Sequence, residues 1–226
     1  MKTIQQKLVE EKNENVKAWK RVRRFSNFNR MKNVNWAVVR ALEARALDID
    51  PKIHFNPWKY CEDIEERMKQ VCSTANCKYL LNFHIVWCPR GRVKILHYEA
   101  RMKLREWIAQ ICEEKKWTLL ALEAMPDHVH MFLSTKDFRP EVLGTIKGRT
   151  SSLLAKTFPE FKQAVGEHIW SGSYYISSVG NVSGVKVLQY ITKQWKEYFP
   201  QTYTLLQAAL TEGQKKLSEY EEPLLN

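Results

Sequence analysis

The chain has 226 residues, of which 44% are apolar and 12% aromatic, so its composition favours a globular protein and excludes a disordered one. It has no apolar run near the roughly 20 residues that span a bilayer, and it begins without the apolar stretch of a secretory signal, so we expect a cytoplasmic protein with no membrane partner. The net charge of +11 favours a polyanionic partner, with nucleic acid as the preferred class.

Residues 1–75 predict a basic, mostly helical N-terminal extension. It contains a run of basic and aromatic residues in which Arg21, Arg23 and Arg24 suit phosphate contact and Trp19 suits base stacking. A solvated basic helix face explains the same run equally well, so both interpretations remain open.

Residues 76–199 predict one compact domain, and residues 200–226 an acidic C-terminal tail. Apolar periodicity within the domain indicates strands at 79–87, 118–125, 128–134 and 168–179 and helices at 98–115, 140–158 and 183–199. The order β-α-β-β-α-β-α is that of the split βαβ (ferredoxin- or RRM-like) plan with one added helix. We therefore expect an α+β fold with an antiparallel sheet, helices on one face, and a further helix at its C-terminal end.

Five cysteines stand at positions 61, 72, 77, 88 and 112. Cys72 and Cys77 lack a second pair of matching spacing, which disfavours a zinc site. Buried, reduced thiols are the expected state.

The pair His128 and His130 is the main chemical signal. Side chains alternate along a strand, so both imidazoles are predicted on one face of the sheet. Tyr190 and Gln194 are four residues apart on a predicted helix and share one of its faces. Taken singly, these residues have ordinary explanations: hydrogen-bonded sheet histidines, a tyrosine at the edge of the core and an exposed glutamine.

Together, the four side chains suit a metal ion beside a tyrosine nucleophile. Two imidazoles and an amide oxygen form an uncharged three-ligand site, suited to Mg²⁺ or Mn²⁺. A phenol has a pKa near 10 and needs activation before it can attack a phosphodiester, and the product of that attack would be a phosphotyrosine. Asp127 can either orient an imidazole or shape the turn before the strand, and we favour the turn.

Four ordered blocks of sequence resemble the HUH single-tyrosine transposases (TnpA) of small prokaryotic insertion sequences. The blocks read LEAMPDHVH at 122–130, IKGRTSS at 146–152, IWSGSYY at 169–175 followed by SVG at 178–180, and YITKQ at 190–194. The resemblance spans residues 79–196, so the first 75 or so residues lie outside it.

The resemblance implies that His128, His130 and Gln194 bind the metal and that Tyr190 is the nucleophile. It also implies single-stranded DNA substrates with hairpins, a 5′-phosphotyrosine intermediate with a free 3′-OH, and a homodimer in which the tyrosine can act in trans. Lys147 and Arg149 are candidate phosphate contacts, although helical lysines are commonly just solvated. Two alternatives remain: a domesticated, repeat-associated relative with the same chemistry, and a non-catalytic module that binds single-stranded nucleic acid.

Overall fold

The computed structural model describes residues 34–47, 68–69, 71–73, 75–76, 78–135, 140–179, 184–200, 203–204 and 207. The helices are α1 (Trp36–Leu47), α2 (Tyr98–Glu114), α3 (Pro140–Thr157), α4 (Pro159–Val165) and α5 (Gly184–Tyr198). The strands are β1 (Cys72–Ser73), β2 (Lys78–Tyr79), β3 (Asn82–Trp87), β4 (Thr118–Met125), β5 (His128–Ser134) and β6 (Tyr175–Val179). A short 3₁₀ turn covers Arg90–Arg92.

The centre of the fold is a four-stranded antiparallel sheet in the order β4-β5-β3-β6. Strands β1 and β2 form a separate antiparallel pair. In the large sheet, β5 returns from β4 and inserts next to β3, which separates the two strands that α2 connects. This order confirms the predicted split βαβ plan.

One face of the sheet carries the main hydrophobic core. The side chains that alternate along the strands toward this face include Ile85, Trp87, Val129 and Met131, and all four are buried. Helices α2 and α3 contribute the facing apolar stripes, which are Leu104, Ile108, Leu143, Ile146 and Leu154. Strands on which apolar side chains alternate therefore pack against helices on which apolar side chains recur about every 3.6 residues, as the sequence predicted.

Helix α1 belongs to the same core, although it precedes the predicted domain. Asn35 starts the helix, and its Oδ1 accepts the backbone N–H groups of Ala37 and Val38. Val39 and Leu42 are buried within the core cluster of the sheet and its helices. This part of the N-terminal extension is thus packed against the rest of the fold.

The opposite face of the sheet is covered by α5. Val187 and Ile191 of this helix pack with Phe132 of β5, and Trp195 packs on Met125 of β4. The polar residues of β3 and β5 point toward this same face. The histidines of β3 and β5 therefore lie on the face of the sheet that the tyrosine-bearing helix covers.

Several elements differ from the sequence prediction. The strand predicted over 79–87 starts later, at Asn82, and Tyr79 instead pairs with Cys72 in the small sheet. The strand predicted over 168–179 is shorter, because the Nζ of Lys147 donates to the backbone oxygen of Ser171 and the N–H of Ser171 donates to Cys88. These bonds satisfy the backbone outside the sheet ladder. Helix α4 was not predicted; it begins at Pro159, a residue that fits the first helical turn because that turn needs no N–H donor from it.

Candidate active site

The two histidines of the HVH motif lie together on the face of the sheet that α5 covers. His128 and His130 are both buried, with ring centroids 4.7 Å apart and planes nearly perpendicular. Their neighbours along β5, Val129 and Met131, point into the main core. The alternation predicted from the sequence therefore places both imidazoles on one side, as expected.

Asp127 connects His128 to the surrounding structure. Its Oδ1 hydrogen-bonds with Nδ1 of His128, and its Oδ2 accepts from Nε of Arg92 at 2.8 Å. Burial alone would raise the pKa of this carboxyl, but the hydrogen bond from His128 and the charge of Arg92 hold it well below its usual range. Asp127 lies in the turn and also hydrogen-bonds with an imidazole, so the interpretation that favours the turn alone is incomplete.

Arg92 reaches Asp127 from a left-handed backbone conformation. Its φ is +55°, a region that costs a non-glycine residue about 1 kcal/mol or more. Gly91 before it has φ +70°, so two successive residues turn the chain sharply. The ion pair with a buried carboxylate offsets this strain and fixes the 3₁₀ turn beside the motif.

A third histidine, which no sequence motif singled out, completes the polar face. Nε2 of His84 on β3 lies 3.0 Å from Nδ1 of His130. Burial lowers the pKa of His84 to about 4, and burial likewise lowers the pKa of His130. The alternation of Phe83, Ile85 and Trp87 already put His84 on the opposite face, and combining it with the β5–β3 pairing would have found it.

Helix α5 brings Tyr190 and Gln194 to the histidines. The ring of Tyr190 meets His84 and His130 edge-on, with centroids 5.1 and 5.4 Å away, and 36% of this residue is exposed. Nε2 of Gln194 donates to the backbone oxygen of Tyr190 at 3.2 Å. An interaction with the Gln194 side chain opposes the lowering of the pKa of the His130 ring, which burial causes. All four residues of the predicted site therefore meet.

The donor set fits a divalent cation. Asp127 and His84 engage the Nδ1 atoms of His128 and His130, so the Nε2 atom of each ring lies on its far side. A carboxylate or other acceptor behind a ligating imidazole is the usual arrangement in metal sites. The described residues include no group of three or more His, Cys, Asp and Glu side chains that could hold a metal.

A buried ionic group anchors the C-terminal half of α5. Glu123 of β4, fully buried, accepts from Nε1 of Trp195 at 3.0 Å and pairs with Arg105 of α2. Arg101, one turn earlier on α2, is also buried, and its guanidinium lies over the Phe199 ring at 4.9 Å. The tyrosine-bearing helix is therefore held on the sheet by a polar contact as well as by apolar packing.

The structure gives the contacts that two of the predicted DNA-binding residues make within the protein. Lys147 donates to the backbone oxygens of Ser171 and Ser173, and Arg149 forms an exposed two-point ion pair with Glu114. Both side chains thus have partners inside the protein, and their contact with DNA stays a prediction. Arg21, Arg23 and Arg24 lie outside the described residues.

The remaining sequence expectations concern thiols and membranes. Cys88 and Cys112 are free and buried; Cys61 and Cys77 lie outside the described residues. None of the helices in the described part of the chain has the length and apolar character that a membrane crossing requires.

The region that carries this site is similar in sequence to known proteins. The sequence pattern of the family described as IS200-like transposases matches residues 77–194. The ISDra2 transposase TnpA of Deinococcus radiodurans is 28% identical over 119 residues, which are 51% of this chain and 85% of that protein. The transposase for insertion sequence element IS200 of Salmonella typhimurium is 31% identical over 125 residues, covering 54% and 79% of the two chains. A crystal structure of a putative transposase from Deinococcus radiodurans, 28% identical, covers 54% of this chain and 97% of its own with a TM-score of 0.46.

Proposed function

The chain belongs to the family of IS200-like transposases, and from that membership we propose that it cuts and rejoins single-stranded DNA at the ends of an insertion element. The proposed reaction passes through a covalent 5′-phosphotyrosine intermediate and requires a divalent metal, Mg²⁺ or Mn²⁺. The observation that supports it most directly is the edge contact of Tyr190 with His130, the second histidine of the HVH motif.

In this proposal His128, His130 and Gln194 hold the metal. A cation bound there would supply positive charge, which would lower the barrier to nucleophilic attack on a phosphodiester. The protein contributes orientation. Asp127 fixes the ring of His128, and the Gln194 nitrogen donates to the backbone oxygen of Tyr190, so its amide oxygen remains available as a ligand.

Tyr190 is the proposed nucleophile. Its phenol oxygen attacks the phosphorus, a new P–O bond forms to the tyrosine, and the bond from phosphorus to the 3′ oxygen breaks. The phenol loses its proton, and the departing 3′ oxygen gains one to become a free 3′-OH. A 3′-OH attacking the phosphotyrosine reverses these steps and rejoins the strand, so no external energy source is needed.

The edge contacts of Tyr190 with His84 and His130 give the nucleophile a defined place, while its partial exposure leaves room for DNA. A group held near the reacting atom in this way gains rate from proximity and orientation. Helix α5 carries both Tyr190 and Gln194, so one helix supplies the nucleophile and a metal ligand together. Any displacement of α5 would therefore disable both functions at once.

The substrate and the assembly complete the proposal. We expect single-stranded DNA with hairpins as substrate, Lys147 and Arg149 as phosphate contacts, and a homodimer in which Tyr190 acts in cis or in trans. The net charge of +11 supports a nucleic-acid partner.

The test is a covalent-adduct assay with the full-length protein. Hairpin-bearing single-stranded oligonucleotides of varied sequence, with different dyes on their 5′ and 3′ ends, are incubated with Mn²⁺ and run on a denaturing gel. The 3′ dye should move with the protein and the 5′ dye should be released, because Tyr190 keeps the 5′-phosphate side. EDTA and Tyr190→Phe should each abolish the adduct.

Tyr174→Phe is the matched control. Tyr174 is similarly exposed but lies in the loop before β6, so this variant should form the adduct like the wild type. An adduct that persists in Tyr190→Phe would show that the nucleophile is wrong. Binding of the oligonucleotides without an adduct on any of them would favour the non-catalytic binding module.

A further inference from the structure

His84 lies between the two groups that carry the proposed chemistry. Its Nε2 is 3.0 Å from Nδ1 of His130, and its ring meets Tyr190 edge-on with centroids 5.1 Å apart. It stands on β3, at the middle of the sheet, with β5 on one side and β6 on the other. One residue therefore contacts both a candidate metal ligand and the candidate nucleophile.

The His84 ring is fixed by its neighbours. It stacks on Phe132 with centroids 4.4 Å apart and planes 9° from parallel, and the edge of Tyr175 approaches it at 6.0 Å. Side chains that are locked by packing hold their polar atoms in one direction. The direction of Nε2 toward His130 is thus set by the sheet and its aromatic residues.

The chemistry of a ligating imidazole explains what this contact can do. A metal takes the lone pair of one ring nitrogen, so the proton must be on the other nitrogen, which then needs an acceptor. For His130, Nε2 lies on the far side of the ring from His84, so Nδ1 is the nitrogen that must carry the proton. Nε2 of His84 is at hydrogen-bond distance from it.

We propose that His84 is a positioning residue whose Nε2 accepts the Nδ1 proton of His130 and so presents the Nε2 lone pair of His130 to the metal. This inference rests on the proposed function, because it requires His130 to be a metal ligand. It gives the two histidines different supports. His128 is backed by the charged Asp127, and His130 by the imidazole of His84.

The experiment measures Mn²⁺ binding to the full-length protein from the loss of the electron paramagnetic resonance signal of free Mn²⁺. Three variants distinguish a role of His84 as a hydrogen-bond acceptor from a role as a ring that only fills space. His84→Phe keeps an aromatic ring without the acceptor, His84→Gln places an amide oxygen near the position of Nε2, and His84→Met has the length of Gln without its amide.

If His84 acts as the acceptor, His84→Phe and His84→Met raise the Mn²⁺ dissociation constant by about 10–100-fold, the range found when a residue behind a metal ligand is lost. His84→Gln should keep most of the affinity. A residue that only fills space would give the opposite order, because Phe preserves the stacking on Phe132 and Gln does not. Circular dichroism identifies any variant that has not folded, and the Gln–Met pair still tests the proposal if the Phe variant is lost.

Nitrogen-15 spectra of the Mg²⁺-loaded protein provide a second readout. His130 should carry its proton on Nδ1 in the wild type and in His84→Gln. A proton on Nε2 in the loaded wild type overturns the proposal.

The failure of this inference is distinguishable from the failure of the proposed function. A wild-type protein that binds no Mn²⁺ and forms no adduct overturns both. A wild-type protein that does both, with His84→Phe binding Mn²⁺ as tightly as His84→Gln or more tightly, overturns the role of His84 alone.

Discussion

The phenol oxygen of Tyr198 lies 2.8 Å from Oδ1 of Asp127, the same carboxylate oxygen that faces Nδ1 of His128. The helix that carries Tyr190 and the strand that carries the HVH motif therefore share one acceptor atom. Arg92 occupies the other oxygen of that carboxylate. A substitution of Asp127 should therefore affect both the candidate metal ligand His128 and the helix that carries the candidate nucleophile.

Asp127→Asn should weaken Mn²⁺ binding by about 10–100-fold, because the amide removes the negative charge that orients the ring of His128 and makes it a better ligand. Mn²⁺ titration of the full-length protein measures this loss. Tyr198→Phe is the matched variant, since it removes one hydrogen bond but keeps the carboxylate, and it should retain most of the affinity. Unchanged binding in Asp127→Asn would contradict the role of this carboxylate.

Glu123→Leu should destabilise the protein more than Trp195→Phe. Without Glu123, Arg105 loses its partner and stays buried beside Arg101, and an uncompensated buried charge costs about 3–5 kcal/mol of unfolding free energy. Trp195→Phe leaves the ion pair intact and removes one hydrogen bond, worth about 1–3 kcal/mol. Urea unfolding followed by circular dichroism gives both values, and equal losses would contradict this account.

Arg149→Gln should reduce the salt dependence of single-stranded DNA binding. Each phosphate contact with single-stranded DNA adds about 0.7 to the slope of log affinity against log salt, so the slope should fall by about that amount. Glu114→Gln should raise the affinity for single-stranded DNA, because it frees Arg149 from its ion pair. Fluorescence anisotropy over a range of salt concentrations measures both, and an unaltered slope in Arg149→Gln would remove it from the DNA contacts.

Cys88 and Cys112 should resist alkylation in the folded protein. Burial raises the pKa of the Cys88 thiol to about 11 and that of Cys112 to about 12, so little reactive thiolate forms at pH 8. Iodoacetamide labelling followed by peptide mass spectrometry should find both cysteines unmodified in buffer and modified in urea. Modification of Cys112 in the native state would show that the core around α2 opens.

Local patterns predicted the parts of the site that lie within single elements. The spacing of His128 and His130 along a strand, and of Tyr190 and Gln194 along a helix, is enough to place each pair on one face. The sheet order could be predicted because the succession of elements is that of a known plan. The resemblance to a transposase family then supplied the roles that we propose for the four residues.

The parts of the site that the sequence did not predict depend on contacts between elements far apart in the chain. His84 meets His130 through the register of β3 with β5, and Trp195 meets Glu123 where α5 crosses β4. No periodicity within one segment encodes such distances. The late start of β6 is similar, because Lys147 of α3 binds the carbonyl groups of Ser171 and Ser173, which a longer strand would have used in the sheet.

The packing of α1 sets where the chain can be shortened. Val39 and Leu42 fill part of the main core, and Arg45 reaches Glu160 of α4. A fragment that starts at residue 76 would expose the apolar surface of the remaining helices and should aggregate or lose stability. A fragment that starts at residue 34 keeps these contacts, so it is the cleaner way to ask what the basic run around Arg21, Arg23 and Arg24 contributes to DNA binding.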